Sequence, residues 1–292
     1  MGANASSNDL EPNGGHGQPP LKARLADIPE SCVALVLSYM EPPEICKLAR
    51  IDRAFRAASS ADFIWEPKLP SNYRYILEDL IGFSAAGMPK RDIFSMLCRP
   101  ISFDGGTKDV WIDKTCGGVC LAISAKGMRI TGIDDRRYWN HIPTEESRFQ
   151  TVAYLQQIWW VEVDGDLEFQ FPAGEYSLFF RLQLGRITKR LGGRRGCNAE
   201  NVHGWDIKPV QLKFTLQDGQ QATSRCFLDN LGTWVHYHVG DFVVEDANAD
   251  ALTKIKFSLT QIDCTHTKGG LCVDSVLICP SRMGKDFRLS SG

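Results

Sequence analysis

Residues Leu25 to Trp65 read LADIPESCVALVLSYMEPPEICKLARIDRAFRAASSADFIW, and their patterning decides how the rest of the chain is read. Three short helical patterns follow one another. Pro29 and Glu30 open the first, which is expected to run to about Met40. Pro42, Pro43 and Glu44 break the chain and open the second, since proline is tolerated in a first helical turn and an acid there suits the helix dipole. This second pattern carries Ile45, Leu48 and Ala49 at helical spacing. The third, after Asp52, carries Phe55 and closes towards Phe63 and Trp65. Of these 41 residues 24 are apolar, against 43% for the whole chain. In the first helix Cys32, Val33, Leu35, Val36, Leu37, Tyr39 and Met40 wrap nearly every side, the pattern of a helix buried all round. A piece of roughly 40 residues rarely buries a core of its own, so the surplus must be covered by something else. That cover is either the rest of the chain, in a packed terminal subdomain, or a partner.

The same residues resemble an F-box over its whole length: Leu25, Ile28-Pro29-Glu30, Leu35 to Tyr39, Pro42-Pro43-Glu44-Ile45, Leu48, Phe55 and Trp65 fall in order. Ala26-Asp27 departs from the usual Leu-Pro opening, and Ile28-Pro29 fills that place. The resemblance implies docking on a Skp-type adaptor and, through it, on a cullin. Leu25, Ile28, Pro29, Leu35, Pro43, Ile45, Leu48 and Trp65 are the residues expected to supply or shape that contact.

Length and composition bound the remainder. The 292 residues leave room for one small and one ordinary domain, and a formal charge of -2 argues against a general nucleic-acid binder. No apolar run approaches the roughly 18 residues of a membrane span, and no charged-then-apolar leader opens the chain. The expected location is therefore the cytosol or nucleus, where the ten cysteines stay thiols and the sequon Asn4-Ala5-Ser6 has no meaning. Residues 1–22 are expected to be disordered, being rich in Gly, Asn, Ser and Pro. Met1-Gly2 with Ser6 fits the N-myristoylation pattern, so Gly2 is a candidate lipid site giving weak, reversible membrane contact. A chance match explains it equally simply.

We divide the chain into an F-box at 23–68, a helical linker at 69–102, a sandwich at 103–282 and a tail at 283–292. Leu69 to Leu80 and Lys90 to Leu97 carry helical spacing, with Gly82 to Pro89 as the loop between them. From about Ile101 the period changes to two. Val210, Leu212, Phe214 and Leu216 alternate with polar residues, as do Ile255, Phe257 and Leu259, while Tyr176, Leu178, Phe180, Leu182 and Leu184 line one face of another strand. Such half-solvated strands belong to antiparallel sheets, giving an α+β chain whose second part is a two-sheet sandwich.

Two stretches break this rule. Trp159 and Trp160 are neighbours in Gln157 to Val163, so a strand would point them to opposite faces, one into the core. Beside a core face of Val235, Tyr237 and Val239, Trp234, His236 and His238 form a row that is either packing under long loops or a platform for a flat, partly apolar ligand.

A second resemblance follows from Thr107 to Asp113, Gly117-Gly118, Cys120 to Ala125, Ile130-Thr131, Asp134-Asp135-Arg136, Tyr138-Trp139, Ser147-Arg148-Phe149, Val152-Ala153, Trp160-Val161-Glu162 and the closing GLCVDSVLICP of 270–280. In that order they resemble the phloem-protein-two lectin domain of plants. The resemblance implies a jelly-roll-like, carbohydrate-binding sandwich, with Asp134, Asp135, Arg136, Tyr138 and Trp139 as candidate sugar contacts. Sugar-binding members also carry a tryptophan seven residues before Trp139; here it is Gly132.

Other chemistry is thin. Cys264, His266 and Cys272 lack zinc-site spacing, Cys116 and Cys120 could face each other across a hairpin as thiols, and Asp164, Asp166 and Glu168 are explained by solvated charges on a strand. The basic Arg186 to Arg195 segment reads as a solvated loop or a nuclear import signal. With no phosphate loop or nucleophile elbow, no cofactor, metal or catalytic residue is expected. The function expected is a non-catalytic substrate receptor of a ubiquitin ligase, its sandwich binding glycans or glycoproteins. The alternatives are a free-standing lectin and a glycoside-active enzyme.

Overall fold

The computed structural model describes residues 28–189, 195–198, 201–249 and 251–284. Gly2, Leu25 and most of the tail lie outside these, as do the side chains of the basic 186–195 segment.

Four short helices come first: α1 (Glu30–Ser38), α2 (Pro42–Ile51), α3 (Arg53–Ala58) and α4 (Asp62–Trp65). Pro42 and Pro43 occupy the first turn of α2, where a missing N–H is no loss. Asp52 caps α3 by accepting from the Ala54 amide at 2.6 Å. Only one side of α1 is covered, the one that carries Val33, Ala34 and Leu37; Leu35, Val36 and the following Tyr39 face solvent. The all-round burial expected from its composition is therefore absent, because no described element lies across its second face. The helix expected over Leu69 to Leu80 is shorter and wider, a π-helical turn at Tyr75–Leu80. It is led in by helical backbone at Tyr73 and Arg74, the Tyr73 amide donating to the Pro70 carbonyl at 3.0 Å. Helix α5 (Lys90–Leu97) lies where the spacing placed it, and the Asp62 carboxylate of α4 accepts from its first amide at 2.8 Å.

The strands then run in chain order as β1 (Ile101–Phe103), β2 (Lys108–Ile112), β3 (Val119–Ser124), β4 (Arg129–Ile130), β5 (Trp139–Pro143), β6 (Thr151–Leu155), β7 (Val161–Phe169), β8 (Gly174–Leu184), β9 (Arg186–Lys189), β10 (Arg195–Asn198), β11 (Val210–Leu216), β12 (Gln221–Cys226), β13 (Val235–Val244), β14 (Thr253–Gln261) and β15 (Leu271–Pro280). Their ladders are antiparallel. Strand β15 is the spine of an eight-stranded sheet. One of its edges pairs with β8, which pairs with β13; the other is shared between β6 at Cys272–Val273 and β3 at Ser275–Ile278. The second sheet has the order β12-β11-β14-β7-β4.

The expected alternation is plain in this second sheet, where Val210, Leu212, Phe214, Ile255, Phe257 and Leu259 are buried. Their rings meet those of the first sheet: Phe180 lies 5.9 Å from Phe257, and Phe214 5.8 Å from Phe242. Strand β8 departs from a one-faced reading, since Ser177, Phe179 and Gln183 on its other face are buried too. Cys116 and Cys120 do not face each other; Cys120 lies opposite Trp111 and Cys116 sits in the turn. Asp164 and Asp166 are surface charges paired with Arg129, and Glu168 with Lys254.

The helices and the sandwich share one core. Tyr75 packs edge-on against Phe169 at 5.4 Å, and the Asn72 amide donates to the Gln170 carbonyl at 2.6 Å. This junction lies at the end of the sandwich where β7 and β15 finish. Loops 131–138, 156–160 and 262–269 gather at the other end, where both strands begin.

Candidate functional sites at the two ends

Among the described residues of the helical end the exposed large apolar side chains are Ile28, Leu35, Val36, Tyr39, Ile51, Phe63 and Phe83, with Tyr39 at 85% the most open. Of the residues expected at an adaptor contact, Ile28, Pro29 and Leu35 lie on the surface, and Pro43 and Leu48 are half-buried. Ile45 and Trp65 face inward instead. Ile45 is fully buried, and the Trp65 indole stacks obliquely on Phe94 at 5.2 Å while donating to the Ser59 carbonyl at 2.8 Å. These two shape the helical unit from within and offer no surface to a partner. Val36 and Tyr39, hidden within the first helix's uniform apolar pattern, are the face residues that sequence periodicity missed.

At the far end, Thr131 to Trp139 runs beside Gln156 to Glu162: the Thr131 amide donates to the Glu162 carbonyl at 3.0 Å, and the Gln156 amide to the Tyr138 carbonyl at 2.7 Å. Asp134 and Arg136 point outward. Asp135 is engaged locally, accepting from the Arg137 amide and guanidinium, which holds its carboxyl below the usual range. Tyr138 is partly exposed under the Arg137 guanidinium, 5.6 Å from its ring centre. Trp139 is 1% exposed, and its Nε1 finds no acceptor among the described residues. A sugar cannot stack on a ring enclosed by the core, so the expected stacking role does not fit Trp139. A side chain at position 132 would meet Tyr138 at 3.3 Å and Ile158 at 3.6 Å, which places Gly132 inside this cluster.

Trp159 and Trp160 lie on an irregular bend, not a strand, and both are open, at 52% and 42%. The expectation that one fills the core fails, because Ile158 takes that place by bridging to Lys268.

The row Trp234, His236, His238 lies on the outer face of the first sheet and is knitted into it. Trp234 donates to Glu146 at 3.0 Å and lies under the Arg181 guanidinium at 4.4 Å, while Arg181 pairs with Asp274 at 2.6 Å. Burial, helped by the Arg181 charge, pulls His236 down to about 4. His238 contacts Asp241 at 2.9 Å and packs on Phe179 at 5.1 Å. This row is packing rather than an open platform.

Short helices with an exposed apolar face at one end of an antiparallel sandwich, and exposed rings at the other, define an α+β protein with a helical unit set on a β-sandwich. Residues 118–280 match the family described as Phloem protein 2. The chain is 58% identical over 288 residues to an Arabidopsis thaliana protein named F-box protein PP2-A13, covering 98% of each. It is 59% identical to F-box protein PP2-A12 of the same plant over 89% of each chain, and 36% identical to F-box protein PP2-B10, covering 87% of this chain and 93% of that one. The chain belongs to the phloem protein 2 family, among the plant F-box proteins that carry this lectin-like domain.

Proposed function

We propose that the chain is the substrate-recognition subunit of a Skp–cullin–F-box ubiquitin ligase. Residues 23–68 dock the adaptor, 69–102 form the collar, and the sandwich of 103–282 binds carbohydrate on target glycoproteins. It positions targets and performs no chemistry itself. The observation that carries this reading is the uncovered face of α1, where Leu35 and Val36 are each 55% exposed beside the more open Tyr39. An apolar patch of this kind on a folded chain marks a partner surface. The far end supports the second half of the reading with aromatic planes next to Asp134, Arg136 and Glu162, the mixture that a sugar's apolar face and hydroxyl rim require.

Leu35→Asp combined with Tyr39→Asp places charge on the exposed face without disturbing the core. Capture of a recombinant Skp-type adaptor by the full chain is expected to fall at least about thirtyfold, the loss of roughly 2 kcal/mol typical of a central contact. Capture equal to the parent's would overturn the docking assignment.

A further inference from the structure

Large exposed rings on the sandwich gather at the end away from the helices. Tyr138 closes one loop there, and Trp159 and Trp160 form the bend of the next. The backbone beneath them is held from several sides. Ile158 and Lys268 exchange amide-to-carbonyl bonds at 2.9 and 2.8 Å. The Lys268 side chain is wholly buried, and its ammonium donates to the carbonyls of Trp159 at 2.5 Å, of His266 at 3.2 Å and of Asp263. A third loop is stitched on by Trp205 Nε1, which donates to the Gly269 carbonyl at 2.7 Å, and by His266 Nε2, 3.1 Å from the Gly204 carbonyl.

Burying an ammonium is unfavourable unless its hydrogen bonds are well made, and here they go to backbone oxygens of two different loops. The cage fixes those loops as a bound cation would. Rings that stay in water while their backbone is rigid are already arranged for a ligand, which then loses little freedom on binding. The rim is polar: Thr131 Oγ1 donates to Glu162 Oε2 at 3.2 Å, with Asp134 and Arg136 alongside.

We infer that Tyr138, Trp159 and Trp160 form a stacking platform for a neutral oligosaccharide, and that Lys268 is the positioning residue that holds Trp159 in it. The inference rests on the carbohydrate reading above and moves its centre from the enclosed Trp139 to the bend at 159–160. Three rings on three backbone positions suit several pyranose units better than one.

The test is calorimetric titration of the full chain with cellohexaose, chitohexaose and mannohexaose, each beside its monosaccharide. At least one hexaose should bind. Trp159→Ala with Trp160→Ala should then weaken it about tenfold or more, with the melting temperature and adaptor capture unchanged, since both rings are exposed. Lys268→Met should weaken it by a similar factor while adaptor capture persists, and Lys268→Arg, which retains the charge and donors, should bind better than Lys268→Met. Undiminished binding after loss of both rings would overturn the platform and leave the carbohydrate reading standing. Binding by none of the three hexaoses would overturn both. Parent-like binding by Lys268→Met would remove the positioning role alone.

Discussion

His236 stands half-sheltered on the first sheet with its ring edge towards Phe179 at 6.5 Å, the Arg181 guanidinium and the Asp274 carboxylate being the charges that act on it. Burial comes first and Arg181 second in holding it neutral, so its folded pKa is about 4 against an ordinary 6.5. The unfolded chain takes up this proton below pH 6.5, the folded chain only near pH 4. Stability from the neutral ring is therefore fully present above pH 6.5 and lost as pH falls towards 4, by up to about 3 kcal/mol. Urea unfolding from pH 7 to 4 should show a steeper loss for the parent than for His236→Gln; equal slopes would refute the shift. The same scale shows where sequence reasoning stopped. Trp139, Trp159 and Trp160 look alike in one dimension, and an aromatic beside charges reads as a sugar contact. Which ring is enclosed depends on strand β5 lying against β6 and on Ile158 bridging to Lys268, pairings that no local pattern encodes.

Strands whose faces differ were legible as elements. In β7, β11 and β14 buried and exposed positions alternate as their sequences do, because each has one face on the core and one in water. Strands β3 and β15 are buried on nearly every position, so they carry no alternation from which to read a facing, and only the motifs of the resemblance marked them in the sequence. Helix α5 was legible from spacing, whereas the π-helical turn at Tyr75–Leu80 was not, since its apolar residues also satisfy the α-helical period. Among the first helices, composition announced an apolar surplus without assigning it to a side. The structure assigns it, and this can be measured. Ile45→Ala removes side chain from a fully buried site of α2 and should cost about 2–5 kcal/mol in chemical unfolding. Leu35→Ala, on the open face of α1, should change stability by less than about 0.5 kcal/mol. A large stability loss from Leu35→Ala would mean that α1 is covered on both sides.

Across the whole molecule, the core runs without a break from α1 to the far sheet edges, and the junction is close-fitting. Gly117, in the β2–β3 turn, has φ +64°, and a Cβ there would stand 2.3 Å from the Lys68 backbone carbonyl. Neither the left-handed backbone nor that approach accepts a side chain. The full chain should therefore melt in one calorimetric transition, and Gly117→Ala should lower its midpoint by at least about 3 °C. Two transitions in the parent would show the helices and sandwich to be independent. The spine strand β15 makes the consequence of this continuity concrete. It begins among the ring-bearing loops and finishes beside the β2–β3 turn that meets the helices, about 33 Å later for its ten residues. In the proposed receptor the strand is a gauge rod: cargo held at one tip keeps one stand-off and one bearing relative to the ligase. Which lysines of that cargo come within reach would then follow from how its glycan is oriented, and two targets gripped equally tightly could be modified at very different rates.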